Sequence, residues 1–493
     1  MTTVHPGTAQ ATAVTGNWIG GAWSMSGTVA ESVSPSTGAV LGTYVSAGAA
    51  EAQQGIDAAR AAFDTTDWSR DPNRRYRAIL ELADRLEART PEIAASLSSE
   101  GGKLLGEVMW EVGTTPTWLR YSAATAITQG YGRAAEVAPG VYFQSVPEAA
   151  GVVGVITPWN SPIILTARSV GPALAAGCTV VVKMPGQTGL TNALLAEVIA
   201  STESLPPGVV NIFSEAGNAG APLLVDSPDV DVVSYTGSTH VGRAIAAAGA
   251  RTLKRLNLEL GGKTPLVIFD DADLDAALPQ VMRALLMMNG QFCVTGSRLL
   301  VQESIADEFR ERLIAAVQSV RLGMSDDPSS ELGPLIDKAS VGRVDQLVRQ
   351  AASYGKVLVE GGPVTEGPLA AGAFYRPSII EVQDLDRPLI QQEVFGPVQT
   401  FEVFTDDADA IRRVNATEFG LAAAVFTRDE IRAQKAGREI RAGLVWTNCW
   451  ALLSEQFEEG GYKQSGYGYL CGPRAIEQFQ NLKVYSQLAP PTT

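Results

Sequence analysis

The stretch GVVGVITPWNSPIILTARSVGPALAAGCTVVVKMPG, residues 151–186, decides the fold. It opens on an apolar run, GVVGVITPW, passes through helical spacing over Ala167–Ala176, and closes on a second apolar run, CTVVVK. Short apolar runs joined by a helix read as a βαβ unit, whose parallel strands are buried on both faces. The pattern continues downstream with a helix over Thr191–Ala200, then VVNIF and DVVSYTG. A second α/β region begins near Thr264. It contains LVIF, a helix over Leu274–Met288, SRLLVQ, an amphipathic helix over Ile305–Val320, and then GKVLVEGG, YRPSIIEV, FEVF and LAAAVFT.

Upstream, residues 1 to about 16 read as a loose tail, and WIGGAW as a short hairpin. Helices are expected over Ala49–Phe63, Arg74–Arg89, Pro91–Leu105 and Pro116–Ala126. Residues 131–150 break this pattern and read as a hairpin whose edge needs a partner. FQNLKVYSQLA, near the end, reads as a strand. The two together suggest a projecting sheet between subunits.

At 493 residues the chain exceeds one ordinary core, so two or three domains are expected. The formal charge of -15 argues against a nucleic-acid partner, which calls for a basic surface. Four cysteines without a CxxC pair and two histidines leave no metal site to expect. MTTVHPGTAQATAVTG lacks the pattern of a signal peptide, and no run of apolar residues is long enough to span a bilayer. A cytoplasmic protein with no membrane partner is the expectation.

Local sequence leaves several chemical readings open. Gly237, Ser238, Thr239 and Gly242 follow a strand and open a helix. They suit either a phosphate site or an ordinary turn, because the usual glycine fingerprints are absent. Lys183, ending a strand, suits a ribose contact or a surface lysine. Asn160 suits an oxyanion donor or a turn residue, and Trp159 reads more as packing. Cys293, in GQFCVTGS, sits among small and polar residues that suit an accessible thiol, although free cysteines are generally buried. Cys178 and Cys449 read as core, and Cys471 is undecided. Glu259, ending LNLE before two glycines, reads as a base or a solvent-facing acid. Glu393, before Gly396-Pro397, reads as a ribose acceptor or a turn-adjacent ion-pair partner.

In order, TPWN, VVKMPGQT, YTGSTHVG, LELGGKTP, NGQFC, QQEVFGPV, GLAAAVFT and GGYKQSG resemble the aldehyde dehydrogenase superfamily from about Trp18 to Ser486. The resemblance implies an α/β fold with a Rossmann-type dinucleotide-binding domain (1–130 and 151–261), an α/β catalytic domain (262–470) and small β oligomerisation elements (131–150 and 471–493). It implies oxidation of a small-molecule aldehyde to the carboxylic acid with NAD or NADP and water, by a homodimer or homotetramer. Cys293 matches the nucleophile, Glu259 the general base and Asn160 an oxyanion donor. Thr157, Pro158, Trp159, Lys183, Gly186, Gly237, Ser238, Gly242, Leu260, Gly261, Glu393 and Phe395 match positions that hold the dinucleotide. Leu165, Arg168, Met287, Phe292, Trp450, Leu453 and Glu459 match the aldehyde pocket.

The chain departs from the family pattern at four places. Gly186 stands where many NAD-preferring relatives carry a Glu, which removes a carboxylate block to NADP. Leu470 replaces a second Glu commonly found after GGYKQSG. Glu458-Glu459 replace a Pro-Phe, and Arg168 replaces a channel aromatic. An Arg168–Glu459 ion pair inside an apolar or aromatic pocket is the expected consequence, with a medium-length apolar or aromatic aldehyde as substrate. The alternative is an Arg168 that binds the carboxylate of a dicarboxylic semialdehyde. A CoA-acylating activity is a further alternative, against which Glu259 argues, because a base is what activates water.

Overall fold

The computed structural model describes residues 15–129 and 132–489. Most of the expected N-terminal tail, including His5, lies outside the described residues.

Two sheets organise the molecule. The first has eight strands in the order Ala22–Ser24, Asn17–Ile19, Val210–Glu215, Thr179–Pro185, Val152–Ile156, Val232–Thr236, Arg255–Glu259 and Gly466–Tyr467. The five central strands are parallel, and the flanking pairings are antiparallel. Val152–Ile156 is buried at every position, as a strand covered by helices on both faces must be. Chain order runs outward in opposite directions from Val152–Ile156 and Val232–Thr236. That reversal opens a crevice beyond the carboxyl ends of these strands, the place where open α/β sheets bind ligands. The WIGGAW hairpin closes through Gly20 (φ 64°) and Gly21 (φ 84°), since two successive left-handed residues match the twist of a two-residue turn.

The second sheet orders Lys356–Val359, Ser378–Glu381, Val398–Phe404, Arg298–Gln302, Pro265–Ile268, Ala422–Phe426 and Leu444–Thr447. All its pairings are parallel except the first. Its centre contains a fully buried ion pair. Arg298 Nε and Nη2 each reach a Glu402 carboxylate oxygen at 2.8 Å, with Arg413 3.7 Å away. Removing Arg298 leaves the buried Glu402 carboxylate with only the more distant Arg413 to offset it, where loss of a buried partner costs about 3–5 kcal/mol. Arg298→Met is therefore expected to lower the midpoint of thermal unfolding sharply. A midpoint within about 1 °C of the native value, on the scale where 1 kcal/mol moves large domains a few degrees, is the contrary result.

Arg133–Ala138, Val141–Ala149 and Gln480–Leu488 form a separate antiparallel sheet, with the last strand paired along the whole of the middle one. Its terminal strand exposes Leu482, Val484, Tyr485 and Leu488. The fold is thus a Rossmann-type domain, a second α/β domain and a small β element. Gly466–Tyr467, although it lies late in the chain, completes the edge of the first sheet.

One helical expectation is corrected. Pro116 does not begin a helix; it lies inside a single helix, Leu105–Thr128. An interior proline costs about 3 kcal/mol. This helix packs on both Pro72–Ala88 and Pro162–Ala176, and that burial carries the chain through the break.

Candidate active site

A glycine pair brings the three distant motifs together. A β-carbon on Gly261 would fall 2.5 Å from Glu393 Oε2, and one on Gly262 would fall 2.5 Å from the Cys293 carbonyl oxygen. The chain leaving Glu259 therefore threads between Glu393 and Cys293, and only a residue without a side chain passes there. The Gly262 N–H donates to Glu393 Oε1 at 3.1 Å.

Cys293 follows a turn in which Met288 (φ 53°), Asn289 (φ 59°) and Gly290 (φ 71°) are all left-handed. For the two residues with side chains this conformation costs roughly 1–2 kcal/mol each. Asn289 holds it in place. Its Nδ2 donates to the Gly102 and Pro334 carbonyls at 3.0 and 2.8 Å, and its Oδ1 accepts from Gly333 N–H at 2.7 Å. Asn160 Nδ2 donates to the Gln291 carbonyl at 3.1 Å, which fixes the amide beside the cysteine turn and leaves its second N–H. Lys103, buried and paired with Glu111, donates to the Asn160 carbonyl at 2.6 Å.

Asn160, Glu259, Cys293 and Glu393 face one cavity of about 460 Å³. Its lining includes Pro158, Trp159, Asn160, Leu165, Arg168, Gly237, Ser238, Glu259, Leu260, Gly261, Phe292, Cys293, Glu393, Phe395, Leu453 and Glu459, all expected from sequence. A neighbouring cavity of about 520 Å³ shares Pro158, Trp159 and Thr236 with it, and is lined by Thr157, Lys183 and Gln187. Together they form one cleft across the strand-order reversal.

Four expected residues do not reach the walls. Met287 is buried in the core of the second domain. Trp450 stands behind Phe292, edge to face at 6.0 Å, with its Nε1 donating to the Val294 carbonyl at 2.9 Å. Gly242 is the floor on which Leu260 packs, 2.5 Å from where a β-carbon would stand. Gly186 runs against Ala216 and Tyr44, so a β-carbon there would meet Ala216 Cα at 2.6 Å and the Tyr44 hydroxyl at 2.7 Å. The missing carboxylate at Gly186 is thus built into the backbone path. Glu215, whose charge is felt at Lys183, is occupied by the N–H groups of Ala219, Gly220 and Ala221.

Arg343 and Lys103 escaped the sequence reading. Arg343 lies in the amphipathic helix Lys338–Ala352 and donates to the Val394 and Phe395 carbonyls. It thereby supports Phe395 in a left-handed conformation (φ 52°), edge to face with Trp159 at 5.6 Å. Nothing local to either cation signals this, because the partners lie far away in sequence.

Burial dominates the electrostatics. It pushes Cys293 up to about 12 and Glu259 up to about 8, with the charge of Arg168 lowering and that of Glu459 raising each. Glu393 rises to about 7, against the pull of the Gly262 N–H and Lys263. Glu259 Oε1 has no hydrogen-bond partner among the described residues. A thiol, a carboxylate and an amide donor lining one cavity, beside a crevice fit for a dinucleotide, can support attack on a carbonyl followed by hydrolysis.

Residues 23–485 match the model of the aldehyde dehydrogenase family. The chain belongs to the aldehyde dehydrogenase family. It is similar to (Z)-2-((N-methylformamido)methylene)-5-hydroxybutyrolactone dehydrogenase of Acinetobacter baylyi, 35% identical over 92% of each chain. It is also similar to succinate-semialdehyde dehydrogenase of Paenarthrobacter nicotinovorans, 36% identical over 92% of this chain and 99% of that one. Betaine aldehyde dehydrogenase of Staphylococcus aureus, solved with NAD+, superposes with a TM-score of 0.94 at 32% identity, covering 97% of this chain and 96% of that one. This aldehyde dehydrogenase is an NAD(P)-dependent enzyme that oxidises an aldehyde to the carboxylic acid through a catalytic cysteine. No helix among its described residues is long and apolar enough to cross a membrane.

Proposed function

We propose that Cys293 is the nucleophile, Glu259 the base and Asn160 the oxyanion donor, acting on a medium-length apolar or aromatic aldehyde. The convergence of all three on a cavity walled by Leu165, Phe292 and Leu453 carries this reading. Cys293 Sγ adds to the aldehyde carbon, and the thiol proton leaves to Glu259 or water. The second N–H of Asn160 stabilises the oxygen that gains charge. When bound, the dinucleotide supplies the hydride acceptor. Glu259, once any proton it holds has passed to solvent, takes a proton from the water that cleaves the resulting thioester and returns it to the departing sulfur, releasing acid and free thiol.

The crevice fits the dinucleotide. Ser238 lines the cleft and caps the helix Thr239–Gly249, its Oγ accepting from the Val241 N–H, and Lys183 and Glu393 line the two adjoining cavities where ribose hydroxyls would lie. Because Gly186 leaves no room for a carboxylate, both NAD and NADP are expected to serve. Comparing kcat/KM for the two tests this, and a thousandfold preference for NAD is the result against it.

Arg168 and Glu459 form an ion pair at the aldehyde end of the cavity. An arginine already paired favours an uncharged substrate over a semialdehyde. The test is a panel of neutral and ω-carboxylate aldehydes of equal length, on native enzyme and Arg168→Ala. Preference for the neutral series is expected. A loss of roughly 10-fold or more in Arg168→Ala confined to the carboxylates, the effect of about 1.4 kcal/mol, points to the semialdehyde instead. The apolar residues exposed along Gln480–Leu488 support assembly as a homodimer or homotetramer.

A further inference from the structure

We propose that Arg168 and Glu459, paired in the cavity that holds Cys293 and Glu259, are positioning residues of opposite sign for this chemistry, the cation and the carboxylate acting on those two groups in opposite senses. The proposal rests on the reading of Cys293 and Glu259 as nucleophile and base.

The ion pair occupies an unusual place. Arg168 projects from the helix Pro162–Ala176, directly after Asn160, and Glu459 comes from the loop before Gly460-Gly461. Both side chains are about 10% exposed, and both line the cavity that holds Cys293 and Glu259. The guanidinium also lies 5.5 Å from the centre of the Trp118 ring, with Cys471 and Leu470 buried in the same cluster. Leu470 brings no charge there. The other cation on the cavity wall, Arg343, is committed to the Val394 and Phe395 carbonyls at the opposite end.

The pair is not saturated. Arg168 Nε, Glu459 Oε1 and Glu259 Oε1 are all buried without a hydrogen-bond partner among the described residues. A buried pair with open valences in an apolar pocket offers little stability over apolar side chains of the same size. Its field, however, acts on nearby charges through a medium that screens poorly. Cys293 and Glu259 line the same cavity as the pair, and Cys471, Tyr121 and Glu455 lie around Arg168 on its other side. Cys293 is influenced by Arg168, Glu459, Glu393 and Glu259; Glu259 is influenced by Arg168 and Glu459. Burial raises both, Arg168 pulls both down and Glu459 pushes both up. Cys471, beside Arg168, is raised by burial and pulled down by the Arg168 charge. Intact, the pair is neutral and its two effects oppose each other. Loss of either member leaves the other's charge facing the nucleophile and the base.

The test is alkylation of Cys293 by iodoacetamide as a function of pH, in the full-length enzyme without aldehyde or dinucleotide, followed on the Cys293 peptide by mass spectrometry. Glu459→Gln is expected to move the midpoint to lower pH and speed alkylation below it by about tenfold, the equivalent of one pKa unit. Arg168→Gln is expected to do the reverse, by a similar factor, and Arg168→Lys to restore the native midpoint. Single variants that shift the midpoint in the same direction, or a Glu459→Gln profile that coincides with the native one, overturn the proposal. Glu459→Gln leaves Arg168 free to face Glu259, so it decides the matter even if Arg168→Gln does not fold. Full activity after complete alkylation of Cys293 would instead remove the functional reading. An inactivated enzyme whose midpoints ignore both substitutions removes only the role of the pair.

Discussion

Cys293→Ser is expected to lower kcat by at least about 10⁴-fold while dinucleotide binding stays within about threefold of native, the scale reported for loss of an enzyme nucleophile. A serine fits the space and keeps the left-handed turn at Met288–Gly290. It lacks the nucleophilicity. Burial already pushes the thiol up to about 12, and a hydroxyl in the same place ionises far less. The measurement is absorbance of the reduced dinucleotide at saturating aldehyde, with calorimetric binding of the dinucleotide as control. Residual activity above about 1% of native, some 2.7 kcal/mol of barrier, would mean that another group attacks the carbonyl.

Glu259→Gln is expected to cost about 10²–10⁴-fold in steady-state kcat, the range for loss of a general base. The first turnover is expected to survive better than later ones. A burst of about one equivalent of reduced dinucleotide per site, followed by slow turnover, marks a thioester that waits for water. The pH dependence adds a second readout. Glu259 is raised to about 8, so its basic form is a minority at neutral pH and grows as pH rises through about 8. Native turnover limited by hydrolysis therefore climbs through that region, and the variant is expected to be flat there. A variant with native pH dependence and no burst would assign the base elsewhere.

Much of the fold was legible because its signals are local. Val152–Ile156 and Thr179–Pro185 are apolar runs bounded by helical spacing, and both became buried parallel strands. A terminal strand and a 131–150 hairpin were expected from sequence, and the described part pairs as one antiparallel sheet. The helix expected from Pro116 was read from local periodicity, whereas packing on two neighbouring helices carries one helix through that proline. The site was legible only as an ordered set of motifs. Cys293 or Glu259 taken singly supports a core or surface reading as well as a chemical one.

Other features were set by tertiary contact. Trp450 and Met287 carry pocket-like residue types but pack behind Phe292 and in the core, because a side chain's direction depends on its turn and neighbours. Arg343 and Lys103 act through carbonyls of residues 51 and 57 positions away, a distance that no local pattern encodes.

The sequence by itself determined the family and the two α/β regions, because residue type and order carry them, and it offered Cys293, Glu259 and Asn160 as candidates for the thiol, the base and the amide donor. Only the tertiary structure decided that Gly261 and Gly262 let Glu259, Cys293 and Glu393 close on one another, and that Arg168 meets Glu459 beside them. Those facts depend on which atoms share a low-dielectric space. That is a property of packing between segments up to 291 residues apart.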